Sequence, residues 1–230
     1  MAECRGRLVL ILPPSSIASA DANPLIAPGG PRWYNTADMI GDLAEQPFLI
    51  RTFRPADQPA CRTLYVDGLI GGAIAGNDTG ADIDDIASAY MKDAANHFWV
   101  AVAPPDGGTA GGGTNGAAAG ASDPAADWPV VGMVGVQQHD PGTGEIRRLR
   151  VAPTHRRRGI GTGLMEAALR FCAERQYLKI TLDTFMEREP AIRLFEKFRF
   201  HHNRTRRIGE KELLYFYLDL YTGQEHRRQG

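Results

Sequence analysis

Apolar positions recur along this chain at two different spacings, and the switch between them outlines a mixed set of elements. Phe48 to Phe53 reads as a short strand, and Pro55-Ala56-Asp57 then opens a helical stretch carrying Ala60, Leu64, Tyr65 and Leu69. Asp82 to Ala95 has helical spacing through Ile83, Ile86, Tyr90 and Met91. It leads into Phe98-Trp99-Val100-Ala101-Val102, a strand by its aromatic and β-branched content. Val130 to Gln138 and Glu145 to Val151 alternate as strands on either side of Asp140-Pro141-Gly142-Thr143-Gly144, whose turn chemistry joins them as a hairpin. From Gly159 to Arg175, the residues Ile160, Leu164, Ala168, Phe171 and Cys172 share one helical face, while Glu166, Arg170 and Glu174 lie away from it. Leu178 to Phe185 reads as a strand, Pro190 to Phe198 as a helix and Glu212 to Leu220 as a last strand. In that strand Leu214, Phe216, Leu218 and Leu220 face one way, and Leu213, Tyr215, Tyr217 and Asp219 the other. This order predicts an α+β or mixed α/β fold around a mixed central sheet.

The segments between these elements set the domain limits. Residues 1–46 lack sustained periodicity and read as an irregular N-terminal extension, 47–222 as the organised domain and 223–230 as a C-terminal tail. A glycine-rich break spans 71–80. Residues 104–127, almost devoid of large apolar groups, read as a flexible loop joining two neighbouring strands, where a long insertion costs little closure entropy.

Composition narrows the function classes. With 43% hydrophobic and 23% charged residues the chain has the balance of a soluble globular protein, and no apolar run approaches the ~18 residues of a spanning helix, so no membrane partner is expected. The 26 basic and 27 acidic side chains nearly cancel, which gives no global field for nucleic acid. Cys4, Cys61 and Cys172 are few, odd in number and far apart, with no zinc-ligand spacing. They favour a reducing, cytoplasmic setting and no metal. Arg5 and Arg7 ahead of Leu8–Leu12, followed by Ala18-Ser19-Ala20, mimic a secretion signal, but five apolar residues fall short of the ~7 to 15 that one needs.

The sharpest chemical feature is Leu149-Arg150-Val151-Ala152-Pro153-Thr154-His155-Arg156-Arg157-Arg158-Gly159-Ile160-Gly161-Thr162, a strand that passes through a basic, glycine-bearing turn into a helix. Free amides at a helix start, the helix dipole and glycines that admit a bulky group make such a junction an anion trap. A solvated basic turn is the competing reading of the same spacing. Neither GxxxxGK[ST] nor GxGxxG is present, which lowers nucleoside triphosphates and nicotinamide cofactors on the list.

At these residues the sequence resembles the GNAT superfamily of acetyl-CoA-dependent N-acetyltransferases. Arg156-Arg157-Arg158-Gly159-Ile160-Gly161 is similar to the family's [QR]xxGx[GA] cofactor motif, and Ala191-Ile192-Arg193-Leu194-Phe195-Glu196-Lys197-Phe198-Arg199-Phe200 to its later A-x-x-L-Y-E-K-x-G-F element. Phe98–Ala101, Val130–Gly135 and Leu182-Asp183-Thr184 look most like the camello branch, whose membrane-embedded stretch between the first two helices is replaced here by Gly71 to Gly80.

The resemblance implies a GNAT-like fold with a splayed mixed sheet flanked by helices, acetyl-CoA as co-substrate and an amine acceptor. It further implies that Arg156, Arg157, Arg158, Gly159, Ile160, Gly161 and Thr162 hold the CoA pyrophosphate. The strand Leu149, Arg150, Val151 would bond the pantetheine arm through the main-chain groups of Leu149 and Val151. Transfer would be direct, in a ternary complex. Glu145 stands where many relatives keep a glutamate base, and a carboxylate with an unshifted pKa beside a turn is its competing reading. The relatives' acidic tyrosine is replaced by Phe195 and their glycine by Arg199, so Tyr215 and Tyr217 become the candidate proton donors, with strand packing as the plainer account of both. Those departures also motivate a second hypothesis, an acyl-CoA-binding or regulatory module without turnover. His155, His201 and His202 read as surface residues and Cys172 as packing. An exposed edge strand would allow two copies to pair as a homodimer.

Overall fold

The computed structural model describes residues 48–69, 78–105 and 127–220. The N-terminal extension, most of the glycine-rich break, nearly all of the 104–127 loop and the C-terminal tail lie outside them. In chain order the elements are β1 (Leu49–Thr52), α1 (Gln58–Asp67), α2 (Ala81–Asp84), α3 (Ile86–Tyr90), β2 (His97–Val102), β3 (Val130–Asp140), β4 (Thr143–Val151), α4 (Ile160–Glu174), β5 (Lys179–Phe185), α5 (Glu189–Lys197), β6 (His201–Ile208) and β7 (Lys211–Asp219). Single 3-10 turns at Pro55–Asp57 and Pro153–His155 lead into α1 and the basic turn.

The strands form one seven-stranded sheet in the order β1-β2-β3-β4-β5-β7-β6. All neighbours are antiparallel except β4 and β5, which α4 joins as a crossover. The expected hairpin is β3–β4, closing at Asp140 opposite Thr143. The long loop does connect two paired strands, β2 and β3.

Each face of the sheet is covered. One core cluster joins α4 and α5 to the face carrying Val134, Val136, Ile146, Ile180 and Phe216. The other joins α1, α2 and α3 to Phe98, Val100 and Met133. The predicted face of α4 is buried as expected, but Met165, Ala167 and Leu169 are buried too, because a helix laid across the sheet between β1 and α5 is covered on more than one side.

One expectation is corrected, and one strand was not expected. The helix read over Asp82–Ala95 is two short helices that end at Tyr90, with a break at Asp85, whose side chain accepts a hydrogen bond from Ser88 N at 3.0 Å and starts the second helix. The strand β6 was not signalled by any apolar alternation, because His201 to Arg207 are all exposed on the sheet's edge. It is held by pairing to β7 alone.

Candidate active site

The strands β4 and β5 pair only over Thr143–Glu145 opposite Lys179–Thr181 and then part. From Ile146 to Val151 the edge of β4 that would face β5 has no strand beside it. Ala152 N donates to Val131 O at 2.8 Å, so Ala152 and, by alternation, Arg150 turn their main-chain groups to β3, while Leu149 and Val151 turn theirs into the gap. Two side chains already reach those carbonyls: Arg150 Nη1 donates to Leu149 O at 2.9 Å and Arg156 Nε to Val151 O at 3.4 Å. Each carbonyl keeps a second lone pair for a ligand.

Beyond the gap stands the basic turn. Gly159 has φ +80 and caps α4, and Gly163 N, donating to Gly159 O at 3.0 Å, is the first amide to turn back into the helix. The amides of Ile160, Gly161 and Thr162 therefore precede the intrahelical ladder at the positive end of a fifteen-residue helix. Arg156 and Arg157 are exposed around them, and Arg157 itself holds φ +65. A Cβ built on Gly161 would meet Leu194 at 3.5 Å and Val151 at 3.8 Å, so that glycine is packed between α5 and the end of β4.

A cavity of about 910 Å³ runs through this gap, lined by Glu145, Arg147, Asp183 and Tyr215 on the sheet face that carries α1 to α3 and by Leu149, Ala191, Phe195 and Phe216 on the other. Glu145, Thr181 and Tyr217 form one row across β4, β5 and β7, and Asp183 opposite Tyr215 forms the next. All five line the cavity. Burial raises Glu145 above the ordinary carboxylate range, Arg147 pulls it back, and the like charge of Asp183 pushes it up again. Asp183 is raised as well, again mainly by loss of hydration. Tyr215 lies under the Arg204 guanidinium at 4.3 Å, and Tyr217 lies 5.0 Å from Lys179 Nζ.

Phe195 also reaches the cavity wall, yet it is only 4% exposed and packs between Phe200 and Phe216 with ring centroids 6.1 and 5.8 Å away. No hydroxyl stands at that position. His201 and His202 are exposed, His155 is half-buried, and Cys172 is buried in the α4 core, its thiol pushed up to about 12 by burial.

Sequence reasoning passed over Arg148 and Arg188, and gave Arg150 only a place on the strand expected to bond the pantetheine arm. Arg148, with φ +60, makes a bulge in β4: the two residues Arg148 and Leu149 lie opposite the single residue Val134. Its buried guanidinium takes Asp78 in a two-pronged pair at 2.6 and 2.7 Å and Asp82 at 2.8 and 2.5 Å, with Tyr90 also donating to Asp82. Burial works to raise both aspartates, but the Arg148 hydrogen bonds outweigh it and hold them below their usual range. Arg150 and Arg188 line the cavity beside this network. Nothing local in the sequence signals these three roles, since each depends on which strand or helix lies opposite.

The Acetyltransferase (GNAT) family model matches residues 80–200, which run from the start of α2 to the end of the α5 turn and include the whole gap. The chain belongs to the GNAT acetyltransferase family. A Staphylococcus aureus GNAT-family acetyltransferase has the same fold with a TM-score of 0.57 at 14% identity, over 76% of this chain and 99% of that one. A Salmonella typhimurium protein solved with its cofactor acetyl-CoA matches with a TM-score of 0.57 at 17% identity, over 77% and 96%. Among curated proteins, Danio rerio N-acetylaspartate synthetase is 30% identical over 132 residues, which are 57% of this chain and 37% of that protein. The chain thus spans little more than a third of that relative's length. Among the described residues no helix is long and apolar enough to cross a membrane.

Proposed function

We propose that this protein is an N-acetyltransferase that moves the acetyl group of acetyl-CoA directly to a primary amine. The observation that carries the reading is the open edge of β4: strand-like main-chain groups of Leu149 and Val151 face an unfilled gap beside the amide-rich start of α4. A pantetheine arm laid in that gap completes the sheet between β4 and β5, and the diphosphate falls to the amides of Arg157 to Thr162 and the arginines around them. The identity shared with the Danio rerio protein supports a place in the camello-like branch.

On the cavity side the acceptor nitrogen must lose a proton before it attacks. A lysine-like amine with pKa near 10.4 is mostly protonated at neutral pH, and freeing its lone pair costs roughly 4 to 5 kcal/mol. Glu145, with its affinity for protons raised by burial, takes that proton directly or through water. The nitrogen then adds to the thioester carbon, the C–N bond forms, the C–S bond breaks and the thiolate leaves. Tyr215 or Tyr217, on the same wall, supplies the thiolate's proton in place of Phe195. A thiol of pKa ~8.5 leaves without much help, so the missing tyrosine at 195 need not silence the enzyme.

Calorimetry with acetyl-CoA and thiol release on an amine panel test the reading together. Micromolar binding with turnover is expected. Binding without turnover on any amine would instead establish the regulatory module that Phe195 motivates. Glu145→Gln is expected to lower kcat/KM by ~10²-fold or more and to remove the acid limb of the pH–rate profile, an effect size usual for a positioned base. In the parent enzyme that limb lies above the ordinary glutamate range, because the base must be ionised and burial resists ionisation.

A further inference from the structure

Two buried or half-buried cations on the cavity wall, Arg150 and Arg188, meet no carboxylate among the described residues. Among the described residues Arg150 Nε is buried with no hydrogen-bond partner, and the one bond of its guanidinium goes to the neighbouring carbonyl of Leu149. Arg188, at the N-terminus of α5, reaches across the cleft and donates from Nη2 to Gly68 O at 2.6 Å. Arg150 Nε lies 2.7 Å from where a Cβ on Gly68 would stand, so the two guanidiniums converge on the same residue at the end of α1. Neither makes an ion pair among the described residues. The nearby carboxylate that could have served, Asp78, is already taken by Arg148. Burial first, then the like charges of Arg188 and Arg148, bring the Arg150 pKa down to about 9, against a smaller opposing pull from Asp78.

The bulge explains why this pair faces the reaction. In an unbroken strand Glu145 and Arg150, five positions apart, would point to opposite faces. The extra residue at Arg148 restores the phase. Glu145 pairs with Gln137, Arg147 with Gly135 and Arg150 with Met133, all on one face of β3, so Glu145, Arg147 and Arg150 share the cavity.

Building on the acetyltransferase reading above, we propose that the acceptor is an amine that also carries a carboxylate, of the amino-acid class, with Arg150 and Arg188 gripping the carboxylate while the amine is presented towards Glu145. The alternative anion, a phosphate of the cofactor, belongs to the start of α4, beyond the gap from this wall. A carboxylate supplies the missing counter-charge, and charge-assisted bonds to a guanidinium are the strong, geometrically selective kind.

The test compares each of the twenty free amino acids with its α-carboxamide by thiol release, in the parent and in Arg150→Met and Arg188→Met. For the preferred acceptor the parent is expected to favour the carboxylate form by about 10- to 100-fold in kcat/KM, the range of one or two charged hydrogen bonds. Each variant is expected to bring that ratio near one, and Arg150→Lys to retain part of it. Thermal midpoints should not fall in Arg150→Met, because replacing an unpaired buried charge with an apolar side chain of similar length removes a desolvation cost. Equal use of acid and amide, or turnover confined to amines without a carboxylate, overturns the proposal while leaving the acetyltransferase reading intact. So does a loss of acetyl-CoA affinity in the variants that matches the loss of acceptor kcat/KM, since the anion would then be the cofactor's. Absence of acetyl-CoA binding by the parent protein overturns both.

Discussion

Arg199 follows the last turn of α5 with φ +61, the left-handed region where a side chain is a burden. The surrounding hydrogen bonds explain the conformation: Arg199 N donates to Glu196 O at 2.9 Å and Phe200 N to Phe195 O at 3.0 Å, the paired closure of a Schellman motif, with Phe200 packed on Phe195. A glycine fits this site, as in the family element that the segment resembles. Arg199→Gly is expected to stabilise the fold by about 0.5 to 1 kcal/mol, the left-handed strain relieved less the extra freedom given to the unfolded chain, and chemical denaturation measures it. Gln176 ends α4 in the same way at φ +60, with Gln176 N to Ala173 O and Tyr177 N to Cys172 O both at 3.0 Å. At this scale the sequence named residue types, Glu145 and Arg150 among them, that the fold brings to one cavity. It could not say that Arg199 and Arg148 bear positive φ, because neither residue type asks for it.

Between elements, the two glycines of the basic turn separate into different jobs. Gly159 caps α4 at φ +80, and any L side chain there is strained whatever space it finds. Gly161 lies within the helix, with only ordinary contacts awaiting a Cβ. Substitution at the two glycines therefore acts with opposite signs. Gly159→Ala should lower stability by about 1 to 2 kcal/mol, and Gly161→Ala should hold or raise it by up to ~1 kcal/mol. Gly161→Glu becomes the clean probe of the proposed diphosphate site: acetyl-CoA affinity by calorimetry is expected to fall well over tenfold while the thermal midpoint holds, as the added carboxylate competes for the amides. Elements with a buried face, such as α4, β2 and β7, were readable because burial imprints a period on the sequence. The edge strand β6 was not, because a strand exposed on every residue from His201 to Arg207 carries no apolar period.

The whole molecule adds a pH dependence that no single element carries. His97 of β2 lies with its ring centroid 4.4 Å from that of Trp99 and 5.5 Å from that of Phe171 on α4, with Thr52 Oγ1 of β1 at 3.1 Å from Nε2. Burial, aided by Arg175, depresses its pKa to about 4. The folded state thus binds this proton less readily than the unfolded chain, whose histidine titrates near 6.5. Stability from neutral His97 is whole above pH 6.5 and is lost as the pH falls towards 4, by as much as about 3 kcal/mol at about 1.4 kcal/mol per unit. His97→Gln should flatten the fall in thermal midpoint over that window, while Glu145 and Asp183, whose pKa values are raised, act in the opposite direction in both proteins and cancel in the comparison.

What the chain order determined unaided is the succession of the elements that bury a face, the β3–β4 hairpin and the basic glycine turn at the head of α4, since each rests on residues adjacent in sequence or on one periodic face. Only the tertiary structure decided that β4 and β5 part after Glu145, that a bulge at Arg148 brings Arg150 onto the glutamate's face, and that Arg188 comes to meet Arg150 at Gly68. Those facts depend on strand register and on residues up to 120 positions apart in the chain. Local pattern encodes which face is buried, and packing between distant segments sets which charges are left to seek a ligand.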